Sequence, residues 1–146
     1  MGRSILAIVV SYLAMFFLAF VGFVLAYLIA GPDFAFKPGI YEASMGWIAI
    51  AIGMNLVVAM IGGFICALIA KGGRAPMILA IIVMVLAFVV AFADMNKGKR
   101  NAGLVRQGST PLIEAAQKAH WPEWEPFVFP FTGAIGVLIG AKLKRR

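Results

Sequence analysis

The sequence predicts an all-α integral membrane protein: four transmembrane helices in one bundle, plus a short interfacial helix in the third loop. Three observations carry that prediction. Of the 146 residues, 63% are hydrophobic and only 13% are charged, where ordinary soluble domains run at about half and about a quarter. The mean hydropathy is +0.99, and a chain this short buries only about two-thirds of the surface its unfolded form exposes. The apolar residues also fall into four long uncharged runs separated by polar or breaker-rich segments. The chain therefore reads as a single transmembrane domain over residues 1–146, with spans at about 4–30, 45–70, 75–94 and 126–143 and a polar loop with a surface helix over 95–125. This composition excludes a soluble globular enzyme, a disordered chain and a disulfide scaffold.

The first run, Ser4 to Ala30, carries no charge. At about 1.5 Å per residue it reaches roughly 40 Å, more than a ~30 Å hydrocarbon core requires, so it spans with some tilt. It is also longer than the apolar region of about 7–15 residues in a signal peptide. Gly31, Pro32 and Asp33 end it. A short loop follows, with Phe34, Phe36, Tyr41 and Trp47 in or near it as an interfacial aromatic belt. The second run ends at Ala70 and leads into Lys71-Gly72-Gly73-Arg74, a basic turn short enough to make its two helices antiparallel neighbours. Pro76 sits as a first-turn helix proline, and the third run closes at Asp94.

Residues 94 onward read as solvated loop up to Thr110-Pro111, which resembles an N-cap followed by a first-turn proline. The stretch Leu112 to His120 then forms a short amphipathic helix on the membrane surface. Trp121 and Trp124 join Trp47 as interfacial anchors. The fourth run, Phe127 to about Leu143, is the shortest and needs snorkelling lysines or local thinning to span. Three spans with a re-entrant last segment is the alternative.

The net charge of +7 comes from 13 Lys and Arg against 6 Asp and Glu. In a soluble protein that excess would suggest nucleic acid, but no basic face with interleaved aromatics exists on a soluble module here, so no nucleic-acid partner is expected. With the N-terminus inside, Arg3, Lys71, Arg74, Lys142, Lys144, Arg145 and Arg146 lie on the cytoplasmic side, and six basic residues together with all six acids lie outside. The density of KLKRR and KGGR in very short segments favours an N-in, C-in arrangement in a bacterial inner membrane. Lys97, Lys99 and Arg100, close after the third span, argue against it.

No ionisable group occurs in the middle of any span. The chain is similar in size and helix count to the small multidrug resistance transporters, but it lacks the membrane-embedded carboxylate of their first helix, so proton-coupled exchange is disfavoured. A single histidine, His120, gives no bis-histidine haem site. His120, Glu123 and Glu125 are near one another in sequence, but Pro122 interrupts any helix that would align them on a metal. Cys66, the only cysteine, excludes an internal disulfide. There is no nucleophile elbow and no phosphate-binding loop, so the expectation is no enzyme, no cofactor and no metal.

Small residues at contact spacing remain. Gly22, Ala26 and Ala30 line the first helix, Ala59, Gly63 and Ala67 the second, and Gly133, Gly136 and Gly140 the last. Such stripes let backbones approach closely in lipid. They serve either contacts within the bundle or a groove for a partner, and the short, glycine-rich last helix is the best candidate for a groove. Asn55, polar and near mid-span, should point inward and bond another helix, with Ser11 or Tyr12 as partners by depth.

The aromatic loop ending YEAS (Tyr41 to Ser44), the GGFICALIAKGGR turn and the closing PFTGAIGVLIGAKL resemble small uncharacterised bacterial inner-membrane proteins with four predicted helices. The resemblance implies no activity and no site residue. The expected function is a non-enzymatic accessory, structural or assembly subunit in the lipid bilayer, packed laterally against a membrane-protein partner or a second copy. The alternative is a small transporter or channel for an uncharged or lipophilic molecule.

Overall fold

The computed structural model describes residues 2–71, 73–108 and 110–144; Gly72 of the basic turn and the two terminal arginines lie outside them. Among these residues the architecture is all-α. The helices are α1 (Gly2–Ala30), a single turn α2 (Pro32–Ala35), α3 (Met45–Ala70), α4 (Ala75–Asn101), α5 (Leu112–Lys118) and α6 (Val128–Lys144), the last preceded by a 3-10 turn at Glu125–Phe127. Four segments are long and apolar enough to cross a membrane: α1, α3, α4 and the stretch Glu125–Lys144. The chain is an integral membrane protein built on a four-helix bundle.

Helix ends follow local chemistry. α1 stops at Gly31, whose φ of 78° suits glycine. The Ser44 hydroxyl caps α3 by accepting from the Trp47 amide at 3.1 Å. Pro76 occupies the first turn of α4, where its missing N–H costs nothing. Two boundaries differ from the sequence reading. α4 continues past Asp94 to Asn101, because residues 95–101 contain no breaker except Gly98, and Lys99 and Arg100 complement the negative end of the helix dipole. The Thr110 hydroxyl caps nothing: Pro111 is the N-cap residue of α5, and Thr110 offers its carbonyl to the Tyr27 hydroxyl at 2.8 Å.

α3 is the centre of the bundle, lying between α1 and α6, and α4 packs chiefly on α6. The membrane core joins Ala7 and Met15 of α1, Val58, Ala59 and Cys66 of α3, Leu79 of α4 and Val137 of α6. A second core lies at the end that bears the α1–α3 and α4–α6 connections, called here the loop side. There Tyr27, Phe36, Tyr41, Trp47, Ile48 and Ala115 pack together.

Candidate functional site

The loop side is a folded layer. Its first connection turns at Gly39, φ 74°, and pairs Phe36 with Ala43. The second connection then runs alongside. The Arg106 amide donates to the Gly39 carbonyl at 2.9 Å, the His120 amide to the Tyr41 carbonyl at 3.1 Å, and the Ala43 amide to the His120 carbonyl at 3.0 Å. The Arg106 guanidinium, almost covered, reaches Asp33 at 3.0 Å. The Tyr41 hydroxyl donates to Glu114 at 2.7 Å, and Lys118 lies 2.8 Å from the same carboxylate. Hydrogen bonding from Lys118, then from Tyr41, holds the Glu114 carboxyl below the usual range.

The helical extension of α4 fastens α5 over this layer. The Lys97 ammonium donates to the Ala116 carbonyl at 2.6 Å, and the Asn101 amide to the Gln117 carbonyl at 3.2 Å. Under α5 and beside the loop-side half of α1 lies an apolar crevice of about 740 Å³. Phe16, Phe20, Phe23, Tyr27 and Trp47 form much of its wall, Ala115, Ala116 and Trp121 lie on the α5 side, and Lys97 and Gln117 add polar groups. Its volume falls in the range of ordinary ligand sites, about 300–1,000 Å³.

The small-residue stripes lie elsewhere. A Cβ on Gly63 would collide with the backbone of Val137, and one on Gly140 with the carbonyl of Met60. On Gly136 it would stand 2.7 Å from the Ala59 side chain and 2.8 Å from the Leu56 carbonyl. α3 and α6 therefore touch backbone to backbone, and Gly133, Gly136 and Gly140 face the bundle. The last helix presents no glycine groove to a partner, because α3 already fills it. Ala67 is also buried, whereas Gly22 and Ala26 of α1 are half-covered; Gly22 faces the flexible end of Met54.

Asn55 bonds across the same seam. Its amide donates to the Thr132 hydroxyl at 2.7 Å and to the Phe129 carbonyl at 3.2 Å, both near the start of α6. The α1 partners expected by depth do not meet it: Ser11 is wholly buried in the α1 seam, and Tyr12 is exposed. The tryptophans divide too. Trp124 is exposed and Trp121 half-buried, as anchors would be, but Trp47 is only 8% exposed and stacks edge-on against Tyr27 at 6.1 Å. It belongs to the loop-side core, because the first connection folds over it.

Two residues that the sequence offered only as metal-ligand candidates misaligned by Pro122 are buried, and His120 lies just past the end of α5 at Lys118. Glu125 is fully buried with neither carboxylate oxygen hydrogen-bonded, and His120 is buried with its Nδ1 unpartnered. Burial pushes the His120 imidazole below its ordinary value, with the Glu42 carboxylate pulling the other way. No three His, Cys, Asp or Glu side chains gather on a common point among the described residues. The roles of Tyr27, Phe36 and Lys97 in the crevice were missed as well. The available signal was the density of aromatics in and around the connection over residues 31–44, which fits a small core as well as an interfacial belt. No family model matches this chain, and comparison with curated proteins and with solved structures found no match.

Proposed function

We propose that this protein is a non-enzymatic accessory or assembly subunit of a larger membrane complex, seated N-in and C-in in a bacterial inner membrane. Its point of lateral contact is the apolar crevice beside α1. The observation that carries this reading is a continuous strip on α1: Leu6, Val9, Leu13, Phe16 and Phe20 are all exposed and recur every three or four residues, so they share one face. The strip extends over roughly 20 Å at about 1.5 Å per residue, and its last two members open into the crevice. That length suits an apolar helix of a partner or a second copy better than a compact small molecule.

Asn55 supports the same preference over transport, because its amide is spent on Thr132 and Phe129 in a helix-to-helix lock. The competing reading, a carrier for a lipophilic molecule, draws on the crevice alone, whose aromatic walls suit such a ligand. One experiment separates them. The protein is purified in gentle detergent from its native membrane, as wild type and as Ala116→Phe, which places a ring in the crevice from an exposed position. A partner or second copy at fixed stoichiometry, lost in the variant while the melting temperature holds, is the expected result. A wild-type protein that runs as a bare monomer, or a partner retained equally by the variant, overturns the reading.

A further inference from the structure

The bundle has a second crevice at its opposite end, and its chemistry is different. It has a volume of about 540 Å³ and lies between the start of α4 and the end of α6. Met77, Leu138 and Ala141 give it apolar walls, and Arg74 and Lys142 contribute one cation from each helix. We propose that this crevice is a binding site for one anionic phospholipid, with its phosphate between Arg74 and Lys142 and an acyl chain along Met77 and Leu138.

Charge complementarity selects that occupant. The described charged residues at this end are Arg3, Lys71, Arg74, Lys142 and Lys144, all basic, while every acid of the chain lies on the loop side or at the loop-side ends of the helices. Neither Arg74 nor Lys142 forms a salt bridge with a described residue. Their charges are unanswered within the described protein, and a membrane offers an answer at that depth in its anionic headgroups. Arg74 directly precedes α4, so the positive end of that helix dipole adds to the attraction. A fork-shaped guanidinium also matches phosphate geometry. A protein helix fits this place poorly, because the two flanking cations would need acidic residues at the membrane boundary. The apolar walls distinguish a seated lipid from diffuse attraction to a basic rim.

The test uses the full chain, released from micelles into a mass spectrometer after titration with phosphatidylglycerol or phosphatidylcholine. Wild type should retain one phosphatidylglycerol at least about tenfold better than phosphatidylcholine, at about 1 kcal/mol per cation near the surface. Arg74→Gln with Lys142→Gln should lose that preference. A control pair, Lys71→Gln with Lys144→Gln, removes equal charge from the same end outside the crevice and should keep the preference within about twofold. Leu138→Trp, which leaves both cations in place, should lower retention by filling the acyl slot. Equal losses in the two charge pairs would show diffuse attraction and overturn the site. So would equal retention of the two lipids, or a second copy of the chain released by the Arg74 and Lys142 changes while the lipid count stays constant.

Discussion

Where α3 meets α6, the helices touch through Gly63, Gly136 and Gly140, and the contact consists of backbone and small side chains. Where α1 meets the loop-side layer, the contact is made by Tyr27, Phe36, Tyr41 and Trp47, with ring centroids about 6 Å apart. The difference follows from the solvent around each. Lipid tails are as apolar as leucine, so helices inside the bilayer gain little by burying large apolar side chains and instead gain van der Waals contact by close approach. The loop-side layer borders water, so burying aromatic surface there is favourable at about 25 cal/mol per Å². The glycine seam has no room for added atoms at Gly63, Gly136 and Gly140, whereas the aromatic layer is held by the bulk of its side chains.

The sharpest way to break that contrast is at Gly140. Gly140→Val should destabilise the bundle by about 3 kcal/mol or more, because the collision is with the Met60 carbonyl and no rotamer relieves it. Gly22→Ala meets only the mobile end of Met54 and should cost less than about 1 kcal/mol. Thermal unfolding in detergent, followed by circular dichroism, compares the two. Similar melting temperatures would remove the distinction between backbone and side-chain neighbours.

On the aromatic side, Trp47→Ala should cost roughly 3 kcal/mol by leaving a cavity between Tyr27 and Phe23. Limited proteolysis should then cut the two connections well before α3 and α6 separate. Simultaneous loss of both regions would mean that they unfold as one unit.

Asn55→Ala tests the polar contribution to the glycine seam and should cost about 1 kcal/mol, in line with hydrogen bonds between membrane helices. The loss is modest because the Thr132 hydroxyl keeps the Val128 carbonyl as an acceptor at 3.1 Å. The same melting assay reads it. A loss as large as that of Gly140→Val would give the polar lock a greater share than close contact.

The sequence carried these two regions unequally. The four spans and the inward turn of Asn55 were legible, because length, charge and breaker chemistry are local signals; the short basic turn pointed to α3 and α4 as neighbours, but α4 packs chiefly on α6. The small-residue spacing identified Gly63, Gly136 and Gly140 as contact positions. It did not reveal that they meet one another, since pairing depends on the depth and rotation of two helices distant in the chain. Trp47 read as an anchor because an aromatic at a helix start looks the same whether a loop covers it or water does. The crevice needed three segments at once: α1, the first connection and α5. The extension of α4 to Asn101, which holds α5 in place, read as loop because its residues are polar.

The smallest expected effect is a pH dependence confined to the aromatic layer. His120 sits there with its amide and carbonyl both bonded to the first connection, and burial lowers its affinity for a proton despite the Glu42 carboxylate. The unfolded chain then binds the proton more readily than the folded one, so stability rises with pH through this group. The contribution is fully present above the ordinary histidine value of about 6.5 and is lost as pH falls below it toward the depressed folded value. Tryptophan fluorescence should therefore report a loop-side transition at lower temperature at pH 5 than at pH 8. His120→Gln should flatten the fluorescence dependence. An unchanged slope in that variant would assign the effect to other groups and leave the layer's pH sensitivity without its histidine.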